Sequence, residues 1–183
     1  KNFNIVVSKK AAELKNASHI VLPGVGSFGD CKKGLESIPG LTEEISRQVI
    51  EIGKPFLGIC VGMQLLADKG NENGEHNGLG WITGIVEKLE IKNFSLPHIG
   101  WNNVNFNKSH PIFNGIPDNS YFYFIHSYYV NPDNRDNIIA QTSYGVEFCS
   151  AFAYENYVGL QFHPERSGDY GLQIYQNFIN KLI

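Results

Sequence analysis

The sequence predicts an α/β fold: a doubly wound, mostly parallel central sheet with a smaller antiparallel β portion in the middle of the chain. Three observations carry this. Short, continuous apolar runs alternate with amphipathic runs over the first seventy residues, the pattern of buried parallel strands and covering helices. The stretch from residue 82 to residue 160 contains strand-like runs and no long helical period. The chain closes with another apolar run and an amphipathic helix.

The elements follow in order. Residues 3–7 (Phe-Asn-Ile-Val-Val) read as a strand and residues 9–15 as a short helix. His19-Ile20-Val21-Leu22 is an apolar run stopped by Pro23-Gly24-Val25-Gly26, so it reads as a buried strand ending in a glycine loop. Asp30 to Leu35 reads as helical. A clearer helix spans residues 42–52, with Thr42 as N-cap, Glu43 and Glu44 in the first turn, and Ile45, Val49 and Ile52 on one face. Gly53 ends it and Pro55 prevents its continuation. Strand 56–59 and helix 61–69 come next. Residues 71–80 are polar and glycine-rich, hence a loop. Strands are expected at 82–91, 100–106, 121–130, 138–142, 148–154 and 157–162. A helix over 168–183 carries Ile174, Phe178 and Leu182 on one face.

Composition limits the function. The chain has 183 residues, 42% of them hydrophobic, enough for one domain with a substantial core. A net charge of −3 without a basic run gives no reason to expect nucleic acid or an anionic membrane as partner. No apolar run is long enough to span a membrane. The three cysteines, Cys31, Cys60 and Cys149, are odd in number and widely spaced, which points to a reducing cytoplasm rather than a disulfide framework. No Cys/His cluster has zinc-ligand spacing, so neither metal nor cofactor is expected.

The chemistry gathers at Gly58-Ile59-Cys60-Val61-Gly62. A strand, a sharp turn and a helix there make a nucleophile elbow. Gly58 and Gly62 let the turn be tight and the helix pack close. The helix N-terminus then faces the sulfur and favours thiolate, and its N–H groups suit an oxyanion. A buried structural cysteine is the plainer alternative. The thiol needs a base. Of six histidines, His163 alone stands at the carboxyl end of an expected parallel strand, where open α/β sheets place their sites. Pro164 stiffens the turn, so Glu165 can hold one ring nitrogen while the other faces Cys60. The Pro23-Gly24-Val25-Gly26 loop lies at the same sheet edge and can complete an oxyanion hole through Val25 and Gly26. It lacks the Gly-Lys-Ser/Thr ending of a phosphate loop.

Together these motifs resemble the class I (triad-type) glutamine amidotransferases, whose flavodoxin-like core fits the expected sheet. Pro23 to Phe28, Pro97-His98-Ile99-Gly100-Trp101-Asn102, Tyr123 to Tyr128 and Gln161 to Ser167 are similar to the branch formed by glutaminase subunits of imidazole glycerol phosphate synthase. The resemblance runs from the first residues to the last helix. It implies that Cys60 attacks the side-chain amide of glutamine, that His163 protonates the departing ammonia, and that Glu165 orients His163. It implies an oxyanion hole at the Val61 N–H and, after a backbone rearrangement, at Val25 and Gly26. Gly58, Gln64, His126, Ser127 and Tyr128 correspond to glutamine-binding positions. The implied partner is a (β/α)8-barrel cyclase subunit in a heterodimer that shelters the ammonia. Trp101, Tyr121 and Tyr123 suit its docking face. Arg166, where the family commonly carries Lys, keeps a charge for a carboxylate across that interface.

One departure stands at the front. The chain starts with Lys and enters a strand at once, so it is expected to lack the family's first strand and helix with their Asp-Tyr-Gly-x-Gly-Asn-like segment. Two other readings stay open: a paralogous glutaminase feeding a different synthase, for example in surface-sugar amination, and a truncated, catalytically silent subunit that only binds a partner.

Overall fold

The computed structural model describes residues 4–181. Seven strands form one mixed sheet in the order β1-β2-β11-β10-β9-β6-β7. Its parallel part is β1 (Ile20–Gly24), β2 (Phe56–Cys60) and β11 (Tyr157–Leu160), with β2 in the middle. The antiparallel part is continuous with it: β10 (Val146–Tyr154), β9 (Ile138–Tyr144), β6 (His98–Phe106) and β7 (Ser120–His126). A second sheet, β4-β3-β5-β8, is built from β3 (Ala67–Gly70), β4 (His76–Asn77), β5 (Ile82–Lys88) and β8 (Tyr128–Pro132). Every residue of β2 and β11 is buried, as continuous apolar strands between two covered faces require. The long helix α5 (Gly168–Lys181) buries Ile174 and Phe178 as expected; Leu182 lies outside the described residues.

Several expected elements come out differently. Phe3, in the expected first strand, lies outside the described residues. Residues 4–7 form no strand, and Ile5, Val6 and Val7 are exposed. An apolar run makes a strand only when it is paired with a neighbour, and residues 4–7 pair with none of the described strands. β1 is an edge strand of this sheet, with Val21 exposed rather than buried. Helix α1 covers only Ala11–Leu14, and α2 spans Phe28–Glu36 with Ser27 capping it through the Asp30 N–H. In the helix at 42–52 the cap is Gly40, in the left-handed conformation, not Thr42, whose hydroxyl is buried with no hydrogen-bond partner among the described residues. After α3 (Leu41–Ser46) the helix widens to a π turn over Arg47–Glu51, closed by the Ile52 N–H on Arg47 O. The wider turn carries Ile52 off the apolar face into solvent.

The helix after the elbow, α4, is one turn long, Val61–Gln64. Residues 67–69, expected to continue it, belong to β3 because β4 and β5 offer paired edges there. Tertiary pairing overrides a helical composition in so short a segment. The strand expected at 121–130 divides at Ser127: β7 joins the large sheet and β8 the small one.

Candidate active site

Cys60 ends β2 with φ 54° and ψ −113°, backbone that non-glycine residues rarely adopt. The elbow is held by close approaches. A Cβ at Gly62 would stand 1.8 Å from Leu22 O, and one at Gly58 would stand 2.7 Å from Gly62 O. Gly58 therefore serves the packing of strand on helix and does not line the cavity described below.

Burial opposes the expectation of a thiolate. Cys60 is 4% exposed, and loss of solvent pushes its thiol up to about 12. The nearby Glu165 charge adds to the rise, and the Val61 N–H only partly offsets it. One helical turn supplies too small a dipole to overcome desolvation, so the resting sulfur is protonated and needs a base. Its S–H faces Ile125 O at 3.8 Å.

His163 is the candidate for that base. It is buried, and its Nδ1 lies 2.6 Å from Glu165 Oε1. A carboxylate only accepts, so Nδ1 carries the proton and a neutral ring leaves its Nε2 lone pair free. Among the described residues that Nε2 has no hydrogen-bond partner. Pro164 starts the short 3₁₀ turn Pro164–Arg166, which folds Glu165 back onto the ring. Strand β7 fixes both groups: Tyr123 O accepts the His163 backbone N–H at 2.8 Å, and two residues on Ile125 O faces the Cys60 sulfur. Since β7 is at the far end of the sheet order, the sheet curls until its last strand walls the site.

In front of Cys60 lies a cavity of about 130 Å³. Val25, Gly26 and Val61 line one part of it, and Gln64, His126, Ser127 and Tyr128 another, so the expected oxyanion and glutamine positions other than Gly58 converge. Gln64 is buried, and its amide nitrogen donates to Tyr128 O at 2.9 Å and to Gln161 Oε1 at 3.1 Å. Both its amide protons are spent inside the fold, leaving Oε1 as the group it can offer a ligand. The His126 ring is also spent. Its Nδ1–H donates to Tyr128 O at 2.9 Å, and its Nε2 accepts from His98 Nδ1–H at 3.0 Å. Burial holds both rings neutral, His126 near 3 and His98 near 4. His98, although it follows Pro97, is a buried residue of β6.

Two lining residues escaped the sequence reading. Glu72 brings the cavity a carboxylate and accepts the Phe28 N–H at 2.7 Å. Ile125 contributes backbone. Nothing in the local pattern around Glu72, a polar loop, marks it out. Gln161 is wholly buried with its amide 3.7 Å from Cys60 Sγ.

The expected docking residues share one face. On the β6–β7 ribbon Trp101 pairs with Tyr123 and Ile99 with Ile125. Trp101 is 56% exposed and Tyr121 59%. The Arg166 guanidinium stacks 4.2 Å over the Tyr123 ring.

A strained cysteine facing a cavity, with a carboxylate-held histidine tied to the same strand, β7, brings together the residue types that acyl transfer from an amide requires. The sequence matches the family described as glutamine amidotransferase class-I over residues 2–182. The chain belongs to that family. It is 45% identical over 174 residues to the imidazole glycerol phosphate synthase subunit HisH of Brucella suis, covering 92% of this chain and 81% of that one. It is 46% identical to subunit HisH 1 of Methanococcus maripaludis, covering 96% and 87%. A crystal structure of a glutamine amidotransferase superposes with a TM-score of 0.71 at 19% identity, over 96% of this chain and 84% of that one, which supports the fold. As an amidotransferase the chain is an enzyme. No described helix is long and apolar enough to cross a membrane.

Proposed function

We propose that the chain is the glutaminase subunit of imidazole glycerol phosphate synthase. It hydrolyses glutamine in the cytoplasm and passes the ammonia to a (β/α)8-barrel cyclase subunit, with which it forms a heterodimer. The observation that carries this is the convergence of Cys60, the Val25–Gly26 loop, Gln64 and residues 126–128 on one cavity, in a chain 45–46% identical to two HisH subunits.

Glutamine enters with its side-chain amide at Cys60. Glu72 supplies a carboxylate for its α-ammonium, and Gln64 Oε1 an acceptor. His163 Nε2 takes the thiol proton, and the sulfur attacks the amide carbon. The oxygen of the tetrahedral adduct is held by the Val61 N–H and, once the loop has rearranged, by the N–H groups of Val25 and Gly26. His163 returns the proton to nitrogen, the C–N bond breaks and ammonia leaves. Water, deprotonated by His163, then hydrolyses the thioester to glutamate. Glu165 orients the ring and stabilises its charged form throughout. Ammonia released to bulk water would be protonated and lost as a nucleophile, which favours a covered route to the cyclase. The Ile99, Trp101, Tyr121 and Tyr123 face, rimmed by Arg166, suits that partner: aromatic residues and arginine are enriched at interfaces.

Complementation tests the assignment. Expressed in a strain lacking its own glutaminase subunit, the full protein should restore growth without histidine. A soluble protein that hydrolyses glutamine beside another synthase and leaves the strain auxotrophic would overturn it in favour of a paralogous glutaminase.

A further inference from the structure

The Cys60 sulfur touches a residue that neither the elbow nor the catalytic pair accounts for. Gln161 sits immediately after β11, alongside the elbow, since Leu160 pairs in register with Ile59. It is 0% exposed. A buried glutamine must satisfy an acceptor and a two-proton donor at once, so its orientation is dictated by its neighbours.

Those neighbours leave one solution. Tyr128 O is a carbonyl and only accepts, so the end of Gln64 that meets it at 2.9 Å is its NH₂ group. The same nitrogen lies 3.1 Å from Gln161, and the atom it meets there must be the oxygen. The Gln161 nitrogen is thereby turned to Cys60, 3.7 Å from Sγ. The chain of bonds runs from the wall of the glutamine cavity to the nucleophile, each link donating toward a fixed acceptor.

The sulfur's surroundings give this contact its meaning. Ile125 O, 3.8 Å away, suits a thiol that donates its proton and repels a thiolate. Glu165 and Glu72 also disfavour negative charge there. Against them stand the Val61 N–H and the Gln161 amide, the one side-chain donor on this sulfur among the described residues.

We propose that Gln161 is a further catalytic residue, whose amide N–H stabilises the Cys60 thiolate, and that Gln64 is a positioning residue that holds this amide in the donating orientation. The inference rests on Cys60 being the nucleophile. When His163 removes the thiol proton, the N–H···S contact becomes a charge-assisted bond and tightens, while the Ile125 contact is lost. A glutamine bound against Gln64 is sensed through the same amide.

The test reads thiolate formation without turnover. The full protein is alkylated with iodoacetamide across pH, and labelling at Cys60 is resolved from Cys31 and Cys149 by peptide mass spectrometry. Gln161→Met keeps the length and removes the donor. It should raise the midpoint of the Cys60 labelling profile by about one pH unit, equivalent to about tenfold slower labelling at a pH below both midpoints. Gln64→Met should shift it in the same direction, and the double variant by no more than Gln161→Met alone. A Gln161→Met protein that melts with the parent and labels with the parent's profile overturns the inference. Should Gln161→Met lower the melting temperature, Gln161→Glu, which retains shape and Oε1, reads the same midpoint, and an unshifted profile again overturns it. An unshifted profile in a chain that hydrolyses glutamine removes only this inference; a shifted profile in a chain that never hydrolyses glutamine removes only the proposed function.

Discussion

The two ends of the large sheet solve different problems with the same pairing chemistry. At the parallel end, β2 and β11 are buried throughout, and the elbow glycines fit with no room for a methyl group. At the antiparallel end, β7 alternates: Phe122, Phe124 and His126 face inward, while Tyr121 and Ile125 face solvent. The first end holds a strained cysteine by packing the strands and the elbow closely beneath it, with the cavity in front. The second keeps one face free and fixes the site with its backbone, through Tyr123 O and Ile125 O. Rigid support and an open surface therefore belong to different strands, and sequence changes should divide accordingly.

The largest expected effect is chemical. Cys60→Ala should abolish glutamine-dependent synthesis by the complex, a loss of several orders of magnitude, and leave ammonia-dependent synthesis by the partner intact. Loss of both activities would break the division of labour between the subunits. Next comes packing at the parallel end. Gly62→Ala places a methyl group against Leu22 O and should cost about 3 kcal/mol or more, measured by denaturant unfolding. A neutral result would mean that the elbow can relax.

Acid should attack the antiparallel end, where the His98 and His126 rings join β6 to β7. His126 and His98 have folded-state values near 3 and 4, below the ordinary histidine value, because burial disfavours their charged forms. The unfolded chain binds more protons between those values and about 6.5, so stability is full above that window and falls as pH drops through it. The loss should be on the order of 3 kcal/mol for each ring at pH 4, about 6 kcal/mol for the pair. Replacing His98 by Asn and His126 by Gln together should flatten the melting-temperature profile below pH 6.5; an unchanged slope would assign the acid sensitivity to other groups.

The smallest stability effect belongs to the open face. Trp101→Ala should change folding stability by less than about 1 kcal/mol yet weaken partner binding by about 2 kcal/mol, roughly thirtyfold, read by calorimetric titration. A large fall in melting temperature with unchanged affinity would make the ribbon face a packing surface and erase the contrast.

The same contrast explains what the sequence could reveal. The parallel end was legible because each feature is local: an apolar run, a glycine frame, and a histidine and glutamate either side of a proline. Helix α4 was overestimated because residues 67–70 take their conformation from β4 and β5, which no local pattern announces. Residues 3–7 read as a strand because an apolar run is there, but pairing depends on a neighbour that local sequence does not report. Burial also reverses a local inference. The helix after Cys60 suggested a thiolate, and only three-dimensional packing shows desolvation to be the larger effect. Gln161 stood in plain view beside His163, but its amide gains significance only from Gln64 and Cys60, the latter 101 residues away along the chain.

The strand order has a consequence for the timing of assembly. β11, the last strand in sequence, sits between β2 and β10 in the middle of the sheet. Until it is inserted, β2 lacks a neighbour on that side and the elbow lacks both His163 and Gln161. Contacts this distant in sequence are closed late in folding, after most of the loop-closure entropy has been lost. A growing chain on the ribosome therefore exposes Cys60 long before it can use it, and glutamine cleavage becomes possible only when β11 and the residues just after it, about a hundred positions further on, have emerged and locked into the sheet.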